Sequence, residues 1–71
     1  MPQYEVEPNG EAIVRTRGRD ARDAAGRVLA LSEDATVEVG APDLQGWCAV
    51  HLDGAEVARL RPSQRMRFRR D

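Results

Sequence analysis

Few residues in this chain have the type and spacing for chemistry. Its one cysteine and one histidine, Cys48 and His51, stand three positions apart. On an extended chain an odd spacing sends side chains to opposite faces, so the two cannot grip one metal ion together. Catalysis needs a convergent set, either a nucleophile beside a base, two positioned carboxylates, or a metal cluster. No stretch supplies one. Gly18 and Gly26 are isolated, so no glycine-rich phosphate loop is present either. The expectation is a chain without catalytic residues, metal or cofactor.

What remains is binding. Trp47 offers a large flat surface with one polar end, the kind of side chain that anchors protein contacts; the alternative is a structural role, packing across from Leu60. His51 is read as a surface residue facing Glu56, and Cys48 as a small core residue. The segment "RLRPSQRMRFRR" raises a third possibility, a cationic strip through Arg59, Arg61, Arg65, Arg67 and Arg69. Such a strip could meet phosphates or an acidic protein surface. It could equally pair with the acids of residues 28–58 and with solvent. A formal net charge of −1 and an aromatic content of 4% argue against a dedicated nucleic-acid protein, which needs excess cations and stacking rings.

The charges are sorted into blocks: only acids before Arg15, mainly arginines to Arg27, only acids to Ala58, then arginines almost to the end. Blocks of this kind are expected to balance one another between neighbouring strands. All 11 basic residues are arginine, which reads as a composition bias.

These residues need a scaffold, and 71 residues make a single domain, 1–71, with one small core. Ile13, Val14, Val37, Leu44, Val50 and Leu60 are among its expected members. A core of this size makes help from a partner or from self-association plausible. The lone cysteine rules out an intrachain disulfide. No 18-residue apolar run and no cationic, apolar leader are present, which leads to the expectation of a cytoplasmic or particle-bound chain away from membranes.

Turn residues fall every 8 to 12 positions and helical periodicity is nearly absent, the pattern of a small all-β domain. "YEVE" alternates as a strand and "PNG" reverses it. A strand then runs from Glu11 through "AIVRTR". "GRDARDAAG", Gly18 to Gly26, reads as a long loop with at most one helical turn. Strands follow at Arg27 to Leu31 and Thr36 to Val39, with "APDLQG" as the next turn. Asp53-Gly54 marks a two-residue type I′ hairpin. Its register sets Leu52 against Ala55, His51 against Glu56, Val50 against Val57 and Trp47 against Leu60. One side would then carry Cys48, Val50, Leu52 and Val57, the other Trp47, His51, Glu56 and Leu60. Pro62 should interrupt the ladder before a last strand in which Met66 and Phe68 alternate with arginines. Five or six short antiparallel strands describe a small barrel.

From about residue 12 to 68 the chain resembles the bacterial SH3 domain family. The resemblance is carried by Val14-Arg15 before a long loop, Val37 to Val39, Gly46-Trp47 with Val50, and Asp53-Gly54. Residues 1–11 would form an extra strand or arm. "RPSQRM" is similar to the "PSNYV" segment of eukaryotic SH3 domains, with Arg65 where that family has its binding tyrosine. The resemblance implies an SH3-like barrel acting in recognition. A proline-helix groove would need several aromatic rings, and this chain has only Tyr4, Trp47 and Phe68.

The expectation is therefore a non-enzymatic protein-binding or structural adaptor, with a phage-like particle subunit as its more specific form. Its contact surface would centre on Trp47, His51, Arg61, Arg65 and Arg67, with the Gly18–Gly26 loop beside them. The alternatives are nucleic-acid binding through the arginine-rich last strand and, further off, binding of cell-wall glycan or peptide.

Overall fold

The computed structural model describes residues 1–32 and 34–63. Five strands and one helix follow in the order β1 (Gln3–Pro8), β2 (Val14–Arg17), α1 (Ala21–Leu29), β3 (Val37–Pro42), β4 (Cys48–Leu52) and β5 (Ala55–Pro62). The strands form one antiparallel sheet in the order β2-β1-β5-β4-β3, and α1 packs across one face of it. The mostly β, antiparallel expectation holds. Closure into a barrel is not seen among the described residues, because β2 and β3 lie at opposite edges.

The helix is the largest departure from the sequence reading. Where a loop and a strand over Arg27 to Leu31 were expected, the chain makes a nine-residue helix ending at Leu29. Its start is fixed twice. The Asp20 carboxylate accepts the Asp23 N–H at 2.9 Å, and the Asp23 carboxylate accepts the Arg19 N–H at 2.9 Å. This is close to a capping box, with Asp23 reaching one residue before the N-cap Asp20; the Asp20 carboxylate satisfies a first-turn amide and the Asp23 carboxylate ties down the chain entering the helix. Arg27 reaches back one turn to Asp23 at 3.2 Å. Ala30 ends the helix in the left-handed region, φ 54°. The face set on the sheet is made by Ala24 and Ala25, both fully buried, with Ala21, Val28 and Leu29 partly buried beside them. These positions follow helical spacing, i, i+3, i+4, i+7 and i+8, a stripe that the sequence reading misses because three of its five members are alanine and because it assigns Val28 and Leu29 to a strand. The small alanines let the helix lie close.

Gly18 makes that close approach possible. A Cβ there would sit 2.7 Å from the backbone nitrogen of Ala24. Between helix and sheet the core consists of Val6, Val37, Val50, Ala58 and Leu60 with the two alanines. Full burial of Val6, Val50 and Leu60 contributes roughly 1.5–3 kcal/mol each. Ile13 and Val14, expected inside, are 45% and 44% exposed at the β2 edge, and Leu44 lies fully exposed on a turn.

The β4–β5 hairpin has its type I′ turn, with positive φ at Asp53 (53°) and Gly54 (86°). Leu52 faces Ala55 and His51 faces Glu56, as the turn dictates. Then Val57 bulges, and Val50 pairs with Ala58 rather than Val57. One extra residue reverses the alternation for the rest of β5. Ala58 and Leu60 therefore turn into the core, Cys48 faces Leu60, and Arg59 and Arg61 turn outward with Trp47. The expected Trp47 to Leu60 pairing is lost for this reason.

Two strand boundaries also move. β2 begins at Val14, not Glu11, and β3 runs from Val37 on to Pro42. Pro62 does not break the ladder; it pairs with Tyr4, and the Ser63 N–H donates to the Gln3 carbonyl at 2.9 Å. The proline's missing N–H would point past the end of β4, whose first residue lies opposite Leu60, so nothing is lost. The expected strand carrying Arg65, Arg67, Met66 and Phe68 lies outside the described residues.

Candidate functional site

The face of the sheet away from α1 holds most of the residues singled out from the sequence. It is built from charge columns. Arg15 and Arg17 come from β2, Glu5 and Glu7 from β1, Arg59 and Arg61 from β5, and Glu38 from β3. Arg61 donates from Nε to the Glu5 carboxylate at 2.8 Å, Arg15 approaches the other oxygen of Glu5 at 3.5 Å, and Arg59 pairs with Glu7. The acids that pair with Arg59 and Arg61 thus come from β1, not from residues 28–58. Register explains it: the β1–β5 ladder places Glu5 opposite Arg61 and Glu7 opposite Arg59. The pairing holds the Glu5 carboxyl below its usual range, with the Arg61 hydrogen bond as the main cause.

Trp47 lies under this cationic column. The guanidinium groups of Arg59 and Arg61 sit 4.2 and 4.3 Å from its ring centroid. Both distances fall well within cation–π range, and the ring is left 6% exposed. Its backbone is fixed from the preceding turn. The Asp43 carboxylate accepts N–H bonds from Trp47 at 2.9 Å and Gln45 at 2.8 Å, and the Asp43 N–H donates to the Trp47 carbonyl at 2.9 Å. Gly46, at φ 88°, supplies the left-handed residue that the turn needs. These hydrogen bonds, that from Trp47 first, lower the Asp43 pKa.

His51 is half-buried on β4 beside Glu56 and Glu38. Cys48 turns to the opposite face, as the spacing required. Trp47, His51 and Arg61 therefore share one surface. The 18–26 segment does not join them, because it forms α1 on the other side of the sheet. Arg65 and Arg67 lie outside the described residues. A shallow groove of about 360 Å³ beside Trp47 is lined by Glu5, Gln45, Gly46, Arg61 and Pro62. A second groove, of about 510 Å³, runs along α1 with Arg19, Arg22 and Arg27 on its lining.

Glu5, Glu7 and Asp43 complete the face and were not singled out as site residues, while Arg59 entered only as part of the cationic strip. Their signal was present in part, since Glu5 and Glu7 alternate in "YEVE" and Asp43 precedes Gly46-Trp47 by a turn. What was missing was the register that joins first strand to last. Among the described residues no group of three or more His, Cys, Asp or Glu side chains is arranged to hold a metal ion. Nor, among the described residues, is any helix long and apolar enough to cross a membrane. Comparison of the chain with protein-family models, curated proteins and solved structures finds no match.

Proposed function

We propose that this chain is a non-enzymatic protein-binding module that docks its partner through the sheet face opposite α1, around Trp47, His51 and Arg61. The supporting observation is the Arg59–Trp47–Arg61 stack. Two guanidinium groups are held over one ring, each also anchored by a carboxylate on the neighbouring strand. Arginines ordered before binding lose less side-chain entropy on contact, which favours recognition of a protein surface. The same anchoring weakens the nucleic-acid reading, because Arg15, Arg59 and Arg61 already have carboxylate partners. In its finer form the proposal keeps the SH3-like resemblance: a strand pair, a long connection here filled by α1, and a three-strand meander turning at Asp53-Gly54.

The test is a pull-down of tagged full chain from a lysate of its source at low and moderate salt, beside His51→Ala and Arg61→Gln variants. A defined protein retained at moderate salt and lost from both variants is the expected result. Retention by both variants, or recovery of nucleic acid alone at low salt, would overturn the reading.

A further inference from the structure

Among the described residues the sheet has two open edges, and they are not equivalent. Strand pairing alternates between bonded and non-bonded residue pairs. The Gly18 N–H donates to the Pro2 carbonyl and Gln3 accepts from Ser63 on the other side of β1. With Gln3 opposite Arg17 and Glu5 opposite Arg15, the amides and carbonyls of Arg15 and Arg17 therefore point away from β1 to the free edge. On β3 the corresponding groups belong to Val37 and Val39, since the Asp53 N–H bonds to the Thr36 carbonyl. There a register shift and Pro42, which has no N–H, end the row. Bulges and prolines blunt edges against pairing, and β2 has neither.

Side chains along β2 define what fits beside it. On the sheet face away from α1 it carries Arg15, whose side chain is 70% exposed, and Arg17, which faces the uncharged Gln3. Among the described residues Arg17 has no ion-pair partner, and Arg15 makes only the longer contact to a Glu5 that Arg61 holds more tightly. On the helix side Val14 is half exposed. A second copy of β2 does not fit: any antiparallel pairing that keeps the helix side continuous sets arginine against arginine. Residues 65–69 of the chain itself bring arginines at alternate positions, the same sign again.

We propose that the β2 edge, Val14–Arg17, accepts an extended segment of another protein as a sixth, antiparallel strand, with acidic residues at alternate positions against Arg15 and Arg17 and apolar residues between them beside Val14. Main-chain bonds to Arg15 and Arg17 supply attachment and the charges supply selectivity, the usual division in strand addition. This inference rests on reading the chain as a protein-binding module, but it uses an edge distinct from the Trp47 face.

The experiment follows the amide and indole resonances of the isotope-labelled full chain. The chain is titrated with a short capped peptide that alternates glutamate with valine and threonine, and with its lysine counterpart. Shifts confined to β2 and Gly18, with the glutamate peptide bound more tightly, are the expected outcome. Arg17→Glu should weaken that peptide about fivefold, the scale of one cross-strand charge pair. Because Arg17 has no described ion-pair partner, this variant keeps the fold, checked by unchanged core resonances. No β2 shift at millimolar peptide, or equal binding of the lysine peptide, overturns the proposal. So does concentration-dependent broadening without peptide, which assigns the edge to a second copy. Shifts at Trp47 and His51 alone overturn it while leaving the open-face reading standing. Binding at β2 alongside His51→Ala and Arg61→Gln variants that keep their lysate partner does the reverse.

Discussion

Trp47 shows how one side chain can be surface in sequence and interior in effect. It projects from the uncovered face of the sheet, yet the stems and guanidinium groups of Arg59 and Arg61 leave it 6% exposed. Long cationic side chains cover apolar surface in this way while their heads stay wet. Trp47 is therefore the platform on which the arginines are arranged, and a partner would meet the arginines first. Trp47→Ala should cost about 2–4 kcal/mol in chemical denaturation, near the low end for loss of a large aromatic side chain. Trp47→Phe should recover part of it, since a ring face remains for the guanidinium groups. A change under about 0.5 kcal/mol for the alanine variant would mean that the stack contributes nothing to the fold.

At the scale of elements, two features set the architecture. The first is α1, whose apolar face is centred on the fully buried Ala24 and Ala25 and whose fit depends on Gly18. Gly18→Ala would drive a methyl into the Ala24 backbone, 2.7 Å from its nitrogen. The expected cost is roughly 1–3 kcal/mol from overpacking, read as a lowered unfolding midpoint, whereas Gly26→Ala, with open space around it, should be neutral or stabilising. Equal effects at the two glycines would refute the close-approach account. The second feature is the bulge at Val57. Without it Leu60 would face outward and the arginines inward, exchanging the buried and charged sides of β5. The bulge also decides which side of β1 is buried, because β1 lies against β5 with Val6 opposite Leu60 and Glu5 and Glu7 opposite Arg61 and Arg59.

For the molecule as a whole, acid is the informative perturbation. Glu5, Asp23 and Asp43 sit at the sheet face, the helix start and the turn before Trp47, and each has its pKa lowered by folding. The largest causes are the Arg61 side chain for Glu5, the Arg19 backbone N–H for Asp23 and the Trp47 backbone N–H for Asp43. A carboxyl with a lowered folded pKa binds fewer protons folded than unfolded. Its contribution is complete above the ordinary carboxylate range, near pH 4, and is lost as pH falls through the lowered folded value. Thermal midpoints should be level from about pH 7 to 5 and decline below about pH 4. Asp43→Asn and Glu5→Gln should each flatten the decline. A midpoint unchanged down to pH 3 would contradict these roles.

The sequence by itself determined the local pieces of this protein. Alternation in "YEVE" and "CAVHL" specified strands, Asp53-Gly54 specified a type I′ turn, and an odd spacing specified opposite faces for Cys48 and His51. Each is a short-range consequence of strand period or of backbone freedom at one or two residues. The helix was encoded locally too, in Asp20 and Asp23 and in the spacing of Ala21, Ala24, Ala25, Val28 and Leu29, but a stripe made largely of alanine is a weak hydrophobic signal and is easily overlooked. Only the tertiary structure decided which arginine meets which glutamate, that Leu60 is core and Trp47 lies beneath cations, and that β2 and β3 are the edge strands among the described residues. Those outcomes turn on pairings between residues some fifty positions apart, Glu5 with Arg61 at a separation of 56 and Glu7 with Arg59 at 52. No local pattern fixes such a register, and one bulged residue is enough to reverse it.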